Sequence, residues 1–270
     1  MSYKKLFTTL WDDYTARNPH ALKVHQLFTQ AGETIVNDHI ALRTFNDPRI
    51  NVDALAEIFI QYGYEESGAY NFPVKKLFAK HFEHKDPAAP KVFFSELLVE
   101  NFSPYLQEVV HNCLDKIPGT LLNNNEELIY SGACWEPLSY KTYQALLSES
   151  EYAAWMYAFG FCANHFTVNV NDLKNFKTLE QVNEFILLNK FEMNTAGGLI
   201  KGTPQECLEQ SSTMAGAIDV KFIEGVYSIP SCYYEFARRY PSAEGKLYSG
   251  FIAASADKIF ESTNVGGAGT

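Results

Sequence analysis

The stretch DHIALRTF, residues 38–45, has the alternating pattern of a half-buried β-strand, but it places two polar side chains among the apolar ones. Alternate residues of a strand point to the same side, so His39 and Arg43 share one face. Charged and titratable side chains are rarely buried unless they have partners. The stretch therefore predicts a strand whose two polar side chains bind something on that face.

A second segment, NHFTVNVND at residues 164–172, repeats this arrangement. Both segments open with an aspartate or asparagine followed by a histidine, at positions 38–39 and 164–165. Each is followed by apolar residues at helical spacing, which predict helices that end at Tyr64-Glu65 and at Phe191-Glu192. Glycine and strand-like segments come after each helix. The recurrence predicts two β-α-β-β-β modules.

The rest of the chain adds helices before and between these modules, which predicts an α+β fold in a single domain over residues 1–270. The predicted parts are N-terminal helices in 1–35 (near 3–17 and 20–31), a first module in 36–100, a helical insertion in 101–160, and a second module with the C-terminal segment in 161–262. The predicted strands after the two module helices lie near 76–83, 91–99, 197–202, 217–224 and 226–238. The tail NVGGAGT, 264–270, is expected to be flexible.

Composition and charge narrow the kind of partner that the protein binds. The chain of 270 residues carries 22 basic and 32 acidic side chains, for a net charge of −10. This balance argues against nucleic acid and anionic membranes and favours small-molecule ligands. The start of the sequence lacks a signal peptide, and no apolar run approaches the ~18 residues of a membrane span, so a cytoplasmic location is expected. The five widely spaced cysteines include no CxxC pair, which favours reduced thiols.

Two histidines at equivalent places of a repeat make a metal site a candidate. If the modules pair about a pseudo-twofold axis, His39 and His165 come from neighbouring strands. Glu235 lies in a third predicted strand among aromatic residues, where a metal or an arginine would have to compensate its charge. Two other interpretations stay open. Each histidine is a core residue satisfied by a backbone carbonyl, or Glu235 forms an ion pair with Arg238 or Arg239.

Other short motifs give weaker signals. His81 and His84 form an HxxH beside the turn-like segment HKDPAAP, which favours an exposed turn over a metal site. The sequence contains no HExxH, no GxxxxGK[ST], no GxGxxG after a strand and no GxSxG, so zincin, nucleotide-binding and hydrolase-elbow interpretations lack support. The histidines and Glu235 remain the strongest candidate site.

Four segments together resemble the 2-oxoadipate dioxygenase/decarboxylase family: DHIALRTF, NHFTVNV, LEQSSTMA, and the stretch that begins IPSCYYEFARRYP and ends GKLYSGFIAASADKIFEST. The resemblance covers nearly the whole chain, and the last stretch is its most specific part. It implies a vicinal oxygen chelate-like architecture, in which the two modules form a cupped, mixed or antiparallel sheet around a metal. It also implies that His39, His165 and Glu235 bind a non-haem Fe(II), for which two histidines and one carboxylate are a typical ligand set.

The resemblance assigns substrate contacts as well. Arg43 matches a substrate-binding arginine, and as a catalytic and substrate-binding residue it would hold the far carboxylate of a dicarboxylic acid through a bidentate pair. Gln210, Ser211 and Ser212 are further candidate substrate-binding residues. The alternative for Arg43 is an ion pair with a buried aspartate or glutamate.

The activity that the resemblance implies is the Fe(II)- and O2-dependent oxidative decarboxylation and hydroxylation of 2-oxoadipate to 2-hydroxyglutarate and CO2, in lysine breakdown. The partners would be a small 2-oxo dicarboxylate, 2-oxoadipate or a close relative, and O2. Two alternatives from other classes stay open. One is a hydrolase or isomerase that uses Zn(II) in the same site, and the other is a non-catalytic protein that binds 2-oxo acids.

Overall fold

The two histidine-bearing segments form neighbouring strands at the centre of one sheet. In the computed structural model, which describes residues 2–263, β1 (Asn37–Phe45) and β5 (Ala163–Asn169) pair in antiparallel orientation. Their register puts His39 and His165 on the same face of the sheet. The predicted pairing of the two equivalent strands is therefore observed.

Helices and strands are mixed along the described chain. The other strands are β2 (Tyr64–Phe72), β3 (Leu77–His84), β4 (Lys91–Leu97), β6 (Lys201–Thr203), β7 (Leu208–Ser212), β8 (Ala217–Phe222), β9 (Gly225–Pro230) and β10 (Tyr233–Arg239). The helices are α1 (Tyr3–Arg17), α2 (Pro19–Gln30), α3 (Val52–Gln61), α4 (Pro104–Leu114), α5 (Gly119–Leu122), α6 (Asn125–Leu128), α7 (Tyr140–Leu147), α8 (Glu151–Phe159), α9 (Leu179–Leu188) and α10 (Ala253–Ile259). Within residues 2–263, none of these helices has the length and apolar character needed to cross a bilayer. The tail predicted to be flexible, 264–270, lies outside the described residues.

The sheet repeats one arrangement in each half. Its strand order is β2-β3-β4-β1-β5-β10-β7-β6. In the first half β1 runs parallel to β4, and in the second half β5 runs parallel to β10, while the other neighbours are antiparallel. Because α3 follows β1 and α9 follows β5, both halves are β-α-β-β-β modules, and the predicted α+β fold with a mixed sheet is confirmed. The division of a single domain into four parts stays a prediction.

The first module contains a strand that the sequence pattern did not reveal. The helix predicted to run to Tyr64-Glu65 ends at Gln61, and Gly63, with a φ of +94°, reverses the chain into β2. β2 is an edge strand with mostly exposed side chains. Its sequence YEESGAYNF therefore lacks the apolar alternation of a half-buried strand.

The second module differs from the prediction in two places. The segment 217–224, predicted to be a module strand, contains β8, which pairs with β9 in a separate two-stranded sheet. The stretch 226–238, predicted as one strand, is divided into β9 and β10 at Ser231 and Cys232. The module strand beside β10 is instead β7, whose sequence LEQSS is polar although all of it is buried. A polar buried strand gives no hydrophobic signal, which explains the error.

Helices cover the face of the sheet that lies opposite the histidines. α3 and α9 occupy equivalent places in the two modules, and each begins at a side-chain cap, Asn51 for α3 and Thr178 for α9. The predicted N-terminal helices are also confirmed, and Trp11 of α1 packs against Phe166 of β5 with ring centroids 5.0 Å apart. The helices on this side leave the histidine face to other parts of the chain.

His20 gives the fold a measurable sensitivity to acid. Its Nε2 accepts a hydrogen bond from the backbone N–H of Gly216 at 3.2 Å, and burial lowers its pKa from 6.5 to about 4. The unfolded chain therefore binds more protons between pH 6.5 and 4, so the free energy of unfolding falls as the pH falls through this window. A His20→Gln variant is expected to lose this part of the pH dependence, because an amide does not titrate. Urea unfolding of both proteins at about pH 7 and pH 5 measures it, and equal losses of stability on acidification would contradict it.

Candidate metal centre

Three predicted site residues converge near the middle of the sheet. His39 on β1, His165 on β5 and Glu235 on β10 are all buried, and one possible ligand atom from each lies within 4.8 Å of the others. The Nε2 of His39 lies 3.5 Å from Oε1 of Glu235, and the Nε2 of His165 lies 3.1 Å from Oε2. The fold thus brings together residues that are far apart in the sequence.

The residue before each histidine fixes the orientation of its ring. The Nδ1 of His39 lies 2.7 Å from the Asp38 carboxylate, and the Nδ1 of His165 lies 3.0 Å from the side-chain oxygen of Asn164. Both oxygens accept, so each Nδ1 carries the proton and each Nε2 presents a lone pair toward the centre. In metal sites the second imidazole nitrogen usually donates in this way. The backbone-carbonyl interpretation is therefore wrong, because both Nδ1 partners are side chains.

Asp38 is held in turn by Arg239. The Nε and Nη2 of Arg239 lie 2.6 and 2.9 Å from the two carboxylate oxygens of Asp38. The ion pair between Glu235 and an arginine, left open by the sequence, does not form among the described residues. Arg239 pairs with Asp38, and Arg238 points to the other face, where its guanidinium lies over the ring of Tyr240.

Burial sets the protonation of the three converging groups. It raises the pKa of Glu235 from 4.5 to about 8. It lowers the pKa of both histidines, and the neighbouring His39 lowers that of His165 further. Within the described chain, the Oε2 of Glu235 has no hydrogen-bond partner. A buried carboxylate oxygen without a partner, beside two neutral imidazoles, is an environment that a divalent cation would stabilise, so these residues fit a metal.

Arg43 lies on the same strand as His39 and is buried against α8. Its Nη1 lies 3.3 Å from Glu151, its Nη2 lies 3.4 Å from the Thr263 hydroxyl, and the rings of Tyr152 and Trp155 flank the guanidinium carbon at 4.8 and 4.9 Å. Both polar contacts are long for hydrogen bonds of a charged group, and Nε has no partner in residues 2–263. The alternative that Arg43 forms an ion pair with a buried acidic residue is thus observed only in part, with Glu151 as the partner. The guanidinium is buried and retains donors for a ligand.

Two of the three candidate residues on β7 face the triad, and one does not. Gln210 donates from Nε2 to Oε1 of Glu235 at 2.6 Å. Ser212 lies directly opposite Glu235 in the strand register, and its hydroxyl contacts the C-terminal segment at 2.8 Å. Ser211 points to the opposite face, where its hydroxyl donates to Asn183 of α9 at 2.7 Å. Strand alternation therefore removes Ser211 from the candidate pocket.

Two further buried residues near the triad were not singled out from the sequence. Tyr233 stacks on His165 with ring centroids 4.6 Å apart, and its hydroxyl has no hydrogen-bond partner in the described part of the chain. Lys201 lies opposite Gln210 in the register of β6 and β7 and donates to the backbone carbonyl of Asn194 at 2.6 Å. Burial lowers the pKa of Lys201 to about 8. The strand register reveals both residues, and no local sequence pattern distinguishes them.

The C-terminal segment covers the triad. The ring of Phe251 meets that of His39 with centroids 4.8 Å apart, and Ile259 and Phe260 close the same space from α10 and the turn after it. The cavity that remains beside the triad measures about 20 Å³, which is room for one water-sized molecule. The site is therefore closed and largely apolar around its polar centre.

His81, predicted to lie in an exposed turn, is buried in β3 and supports this cover. Its Nδ1 accepts from the Tyr70 hydroxyl at 2.9 Å, and its Nε2 lies 3.1 Å from Glu83. The Tyr70 oxygen accepts the backbone N–H of Phe251 at 3.0 Å. The sequence-based prediction was wrong because the whole HxxH lies within β3, which ends at His84, and the turn begins only after it.

Comparison with known proteins gives a consistent set of relatives. The family model described as 2-oxoadipate dioxygenase/decarboxylase matches residues 2–246. A protein of Arabidopsis thaliana named "2-oxoadipate dioxygenase/decarboxylase, chloroplastic" is 35% identical over 276 residues, which cover 93% of this chain and 74% of that protein.

Solved structures extend the comparison. The hydroxyglutarate synthase of Oryza sativa, in complex with 2-oxoadipate, has a TM-score of 0.91 and 33% identity, covering 97% of this chain and 92% of that one. A Shewanella frigidimarina protein proposed to be a hydrolase has a TM-score of 0.88 and 52% identity, covering 93% and 98%. A protein from Ralstonia eutropha that was proposed to belong to the glyoxalase superfamily is 20% identical, has a TM-score of 0.76 over 91% of this chain and 84% of that one, and shares the fold.

These likenesses agree with the features derived above. The family model spans most of the chain, and the Arabidopsis relative is similar along most of both sequences. The Ralstonia protein shares the overall fold of this chain. The chain therefore belongs to the 2-oxoadipate dioxygenase/decarboxylase family, and it is an enzyme of that dioxygenase/decarboxylase class.

Proposed function

We propose that the protein binds Fe(II) through His39, His165 and Glu235 and uses O2 to convert 2-oxoadipate to 2-hydroxyglutarate and CO2. The observation that carries this proposal is the convergence of three buried ligand atoms within 4.8 Å of one another. Two histidines and one carboxylate with open positions are the ligand set of many oxygen-activating Fe(II) enzymes. When bound, the iron would supply the activation of O2 and a chelation site for the 2-oxo acid.

The chain's own residues would orient the substrate. Arg43 offers a buried, incompletely paired guanidinium on the strand that carries His39, and the two residues are four positions apart, or ~13 Å along the strand. A dicarboxylic 2-oxo acid would place its keto end at the triad and its far carboxylate at Arg43. The rice structure contains 2-oxoadipate, which is such a molecule. Tyr233 stacks on His165 and interacts electrostatically with Arg43. Its hydroxyl, which has no hydrogen-bond partner within residues 2–263, would donate to the bound acid.

The cover over the triad would exclude water during the reaction. The cavity of about 20 Å³ is too small for a six-carbon acid, so Phe251 and its neighbours have to move for substrate to enter. Once closed, apolar side chains such as Phe93 and Phe260 keep bulk water from the reacting atoms. Closure of this kind would keep the same molecule in the site between the loss of CO2 and its hydroxylation.

Oxygen stoichiometry and labelling test the proposal. Protein prepared without oxygen and loaded with Fe(II) is expected to consume one O2 for each CO2 released from 2-oxoadipate. With ¹⁸O2, the 2-hydroxyglutarate is expected to carry two labelled atoms, one in the carboxylate formed at the former keto carbon and one in the hydroxyl. Mass spectrometry of the product measures both. Turnover without O2 uptake, or a product without label, would contradict the proposal.

A second candidate is a Zn(II)-dependent hydrolase in the same triad. It is favoured by one observation, the hydrolase assignment proposed for the 52% identical Shewanella protein. Zinc accepts the same histidine and carboxylate ligands. Activity that survives in strictly anaerobic, zinc-loaded protein would support this candidate. A role in lysine breakdown and a cytoplasmic location also belong to the proposal.

A further inference from the structure

Arg239 joins two parts of the site that are separate in the sequence. Its Nε and Nη2 hold the carboxylate of Asp38, which in turn accepts from Nδ1 of His39. Its Nη1 donates to the backbone carbonyls of Tyr248 and Gly250, at 2.9 and 2.8 Å. Four of the five guanidinium N–H groups are thus used, two on the support of a triad histidine and two on a loop.

The loop that Arg239 holds is the one that covers the triad. Phe251, the last residue of this loop (248–251), lies with its ring 5.2 Å from the Arg239 guanidinium and 4.8 Å from the His39 ring. On the outer side of the loop, Tyr248 and Ser249 line a polar pocket of about 320 Å³. On the inner side, Phe251 lines the small cavity beside the triad. The loop therefore separates an open polar pocket from the closed centre.

We propose that Arg239 is a positioning residue that couples closure of the loop at 248–251 to the orientation of His39 as a metal ligand. This inference rests on the proposed function of the triad. When the loop is closed, its two carbonyls and the Asp38 carboxylate fix the guanidinium from opposite sides. When the loop opens, Arg239 loses two of its four hydrogen bonds, and Asp38 and His39 lose part of their support.

The chemistry of the side chain explains why an arginine is needed. A planar fork can make a bidentate pair with a carboxylate while its remaining N–H groups reach backbone carbonyls, whereas an ammonium is a compact point charge. Arg239 is only 4% exposed and Asp38 beside it is 5% exposed, although both line the polar pocket, so these contacts are largely shielded from water while the loop is closed. Lys91 also interacts electrostatically with Asp38, and Glu83 with Arg239, but neither pair comes within ion-pair distance.

The test compares Arg239→Lys and Arg239→Gln with Asp38→Asn, and uses Arg238→Lys as the matched control. Arg238 is the next residue on the same strand, but it faces away from the site. The first readout is the Kd for Co(II), measured anaerobically by competition with a chelator. The second is the rate of trypsin cleavage after Lys246, an exposed residue in the segment that leads into the loop.

The Arg239 variants are expected to bind Co(II) about 10- to 100-fold more weakly, which is the usual cost of losing a partner of a metal-binding histidine. They are also expected to be cut after Lys246 at least about tenfold faster, because cleavage follows the population of the open loop and the loss of even one hydrogen bond to a charged group is worth roughly a factor of ten. Asp38→Asn is expected to weaken Co(II) binding but to leave the cleavage rate near that of the wild type. In the double variant Asp38→Asn/Arg239→Lys, the loss of affinity is expected to be less than the product of the single losses.

Three results would overturn the inference. Wild-type Co(II) affinity in Arg239→Lys would show that the arginine does not support the ligand. Unchanged cleavage in that variant would show that it does not hold the loop. Independent, multiplicative losses in the double variant would show that it does not act through Asp38. If the wild type and Arg238→Lys also fail to bind Co(II), the proposed metal site itself is wrong. Thermal unfolding without metal identifies any variant that does not fold, and Arg239→Lys, which keeps the charge, then carries the test.

Discussion

A Glu235→Gln variant is expected to bind Fe(II) at least ~100-fold more weakly than the wild type, because removing a ligand costs more than the 10- to 100-fold loss typical of its supporting partners. The amide keeps the shape of the side chain and can still meet Gln210, but it offers no negative charge to the metal. Activity with 2-oxoadipate is expected to fall in parallel. Metal content after gel filtration and a chelator competition measure the effect.

The matched control is Glu209→Gln, one residue before Gln210 on β7. Glu209 is also buried, but it accepts a hydrogen bond from Tyr240 on the outer face. This control is expected to keep full metal content. Stoichiometric iron in Glu235→Gln would mean that the carboxylate is not a ligand.

The same substitution is expected to change how the stability of the metal-free protein depends on pH. The pKa of Glu235 is raised from 4.5 to about 8 in the folded chain, so the unfolded chain binds fewer protons between these values. The stabilising contribution of the protonated group is complete below pH 4.5 and is lost as the pH rises through 8. The glutamine variant is expected to lack this decline. Metal affinity of the wild type is expected to rise over the same range, because binding displaces the proton.

An Arg43→Ala variant is expected to raise the KM for 2-oxoadipate on the order of 100-fold, because a hydrogen-bonded charge pair contributes about 1.5–3 kcal/mol. Metal content is expected to stay near that of the wild type, since Arg43 does not touch the triad in the structure. The sharper measurement is selectivity between 2-oxoadipate and 2-oxohexanoate, which has the same chain length without the far carboxylate. The variant is expected to lose most of the preference for the dicarboxylic acid.

Two controls separate this role from a structural one. Glu151→Gln removes the ion-pair partner of Arg43 but leaves the guanidinium in place. It is expected to keep the preference for the dicarboxylic acid. Arg49→Ala removes a partly exposed arginine that pairs with Asp47 and Asp115. It is expected to leave both the KM for 2-oxoadipate and the selectivity unchanged. An unchanged selectivity in Arg43→Ala would show that the far carboxylate binds elsewhere, with Lys201 as the next candidate.

The sequence predicted the fold where hydrophobic patterns matched burial. The two histidine strands and the helices after them were found because apolar residues alternate with strand or helix spacing. β2 was not predicted because it is a polar edge strand. β7 was not predicted because it is buried although it carries glutamine and serines. The hairpin of β8 and β9 has an ordinary strand pattern, and only long-range pairing shows that it lies outside the main sheet.

The repeat of the two histidine-bearing strands made part of the candidate site predictable from the sequence. His39, His165 and Glu235 converge. The side-chain oxygens of the preceding residues, Asp38 and Asn164, accept hydrogen bonds from the Nδ1 atoms of the two histidines. The contacts of Arg239 could not be predicted from the sequence, because its partners lie about two hundred residues away in Asp38 and ten residues ahead in a loop without regular structure. Ser211 was proposed for the pocket because strand register is not fixed by composition.

The most direct test of the central claim is anomalous X-ray diffraction from anaerobic crystals of the Fe(II)-loaded protein, recorded on both sides of the iron absorption edge. We expect a single strong anomalous peak about 2.0–2.2 Å from Nε2 of His39, Nε2 of His165 and a carboxylate oxygen of Glu235, the range for such ligands of a divalent metal. Iron bound at another place in the protein, or no peak between these three side chains in fully loaded crystals, would contradict the account.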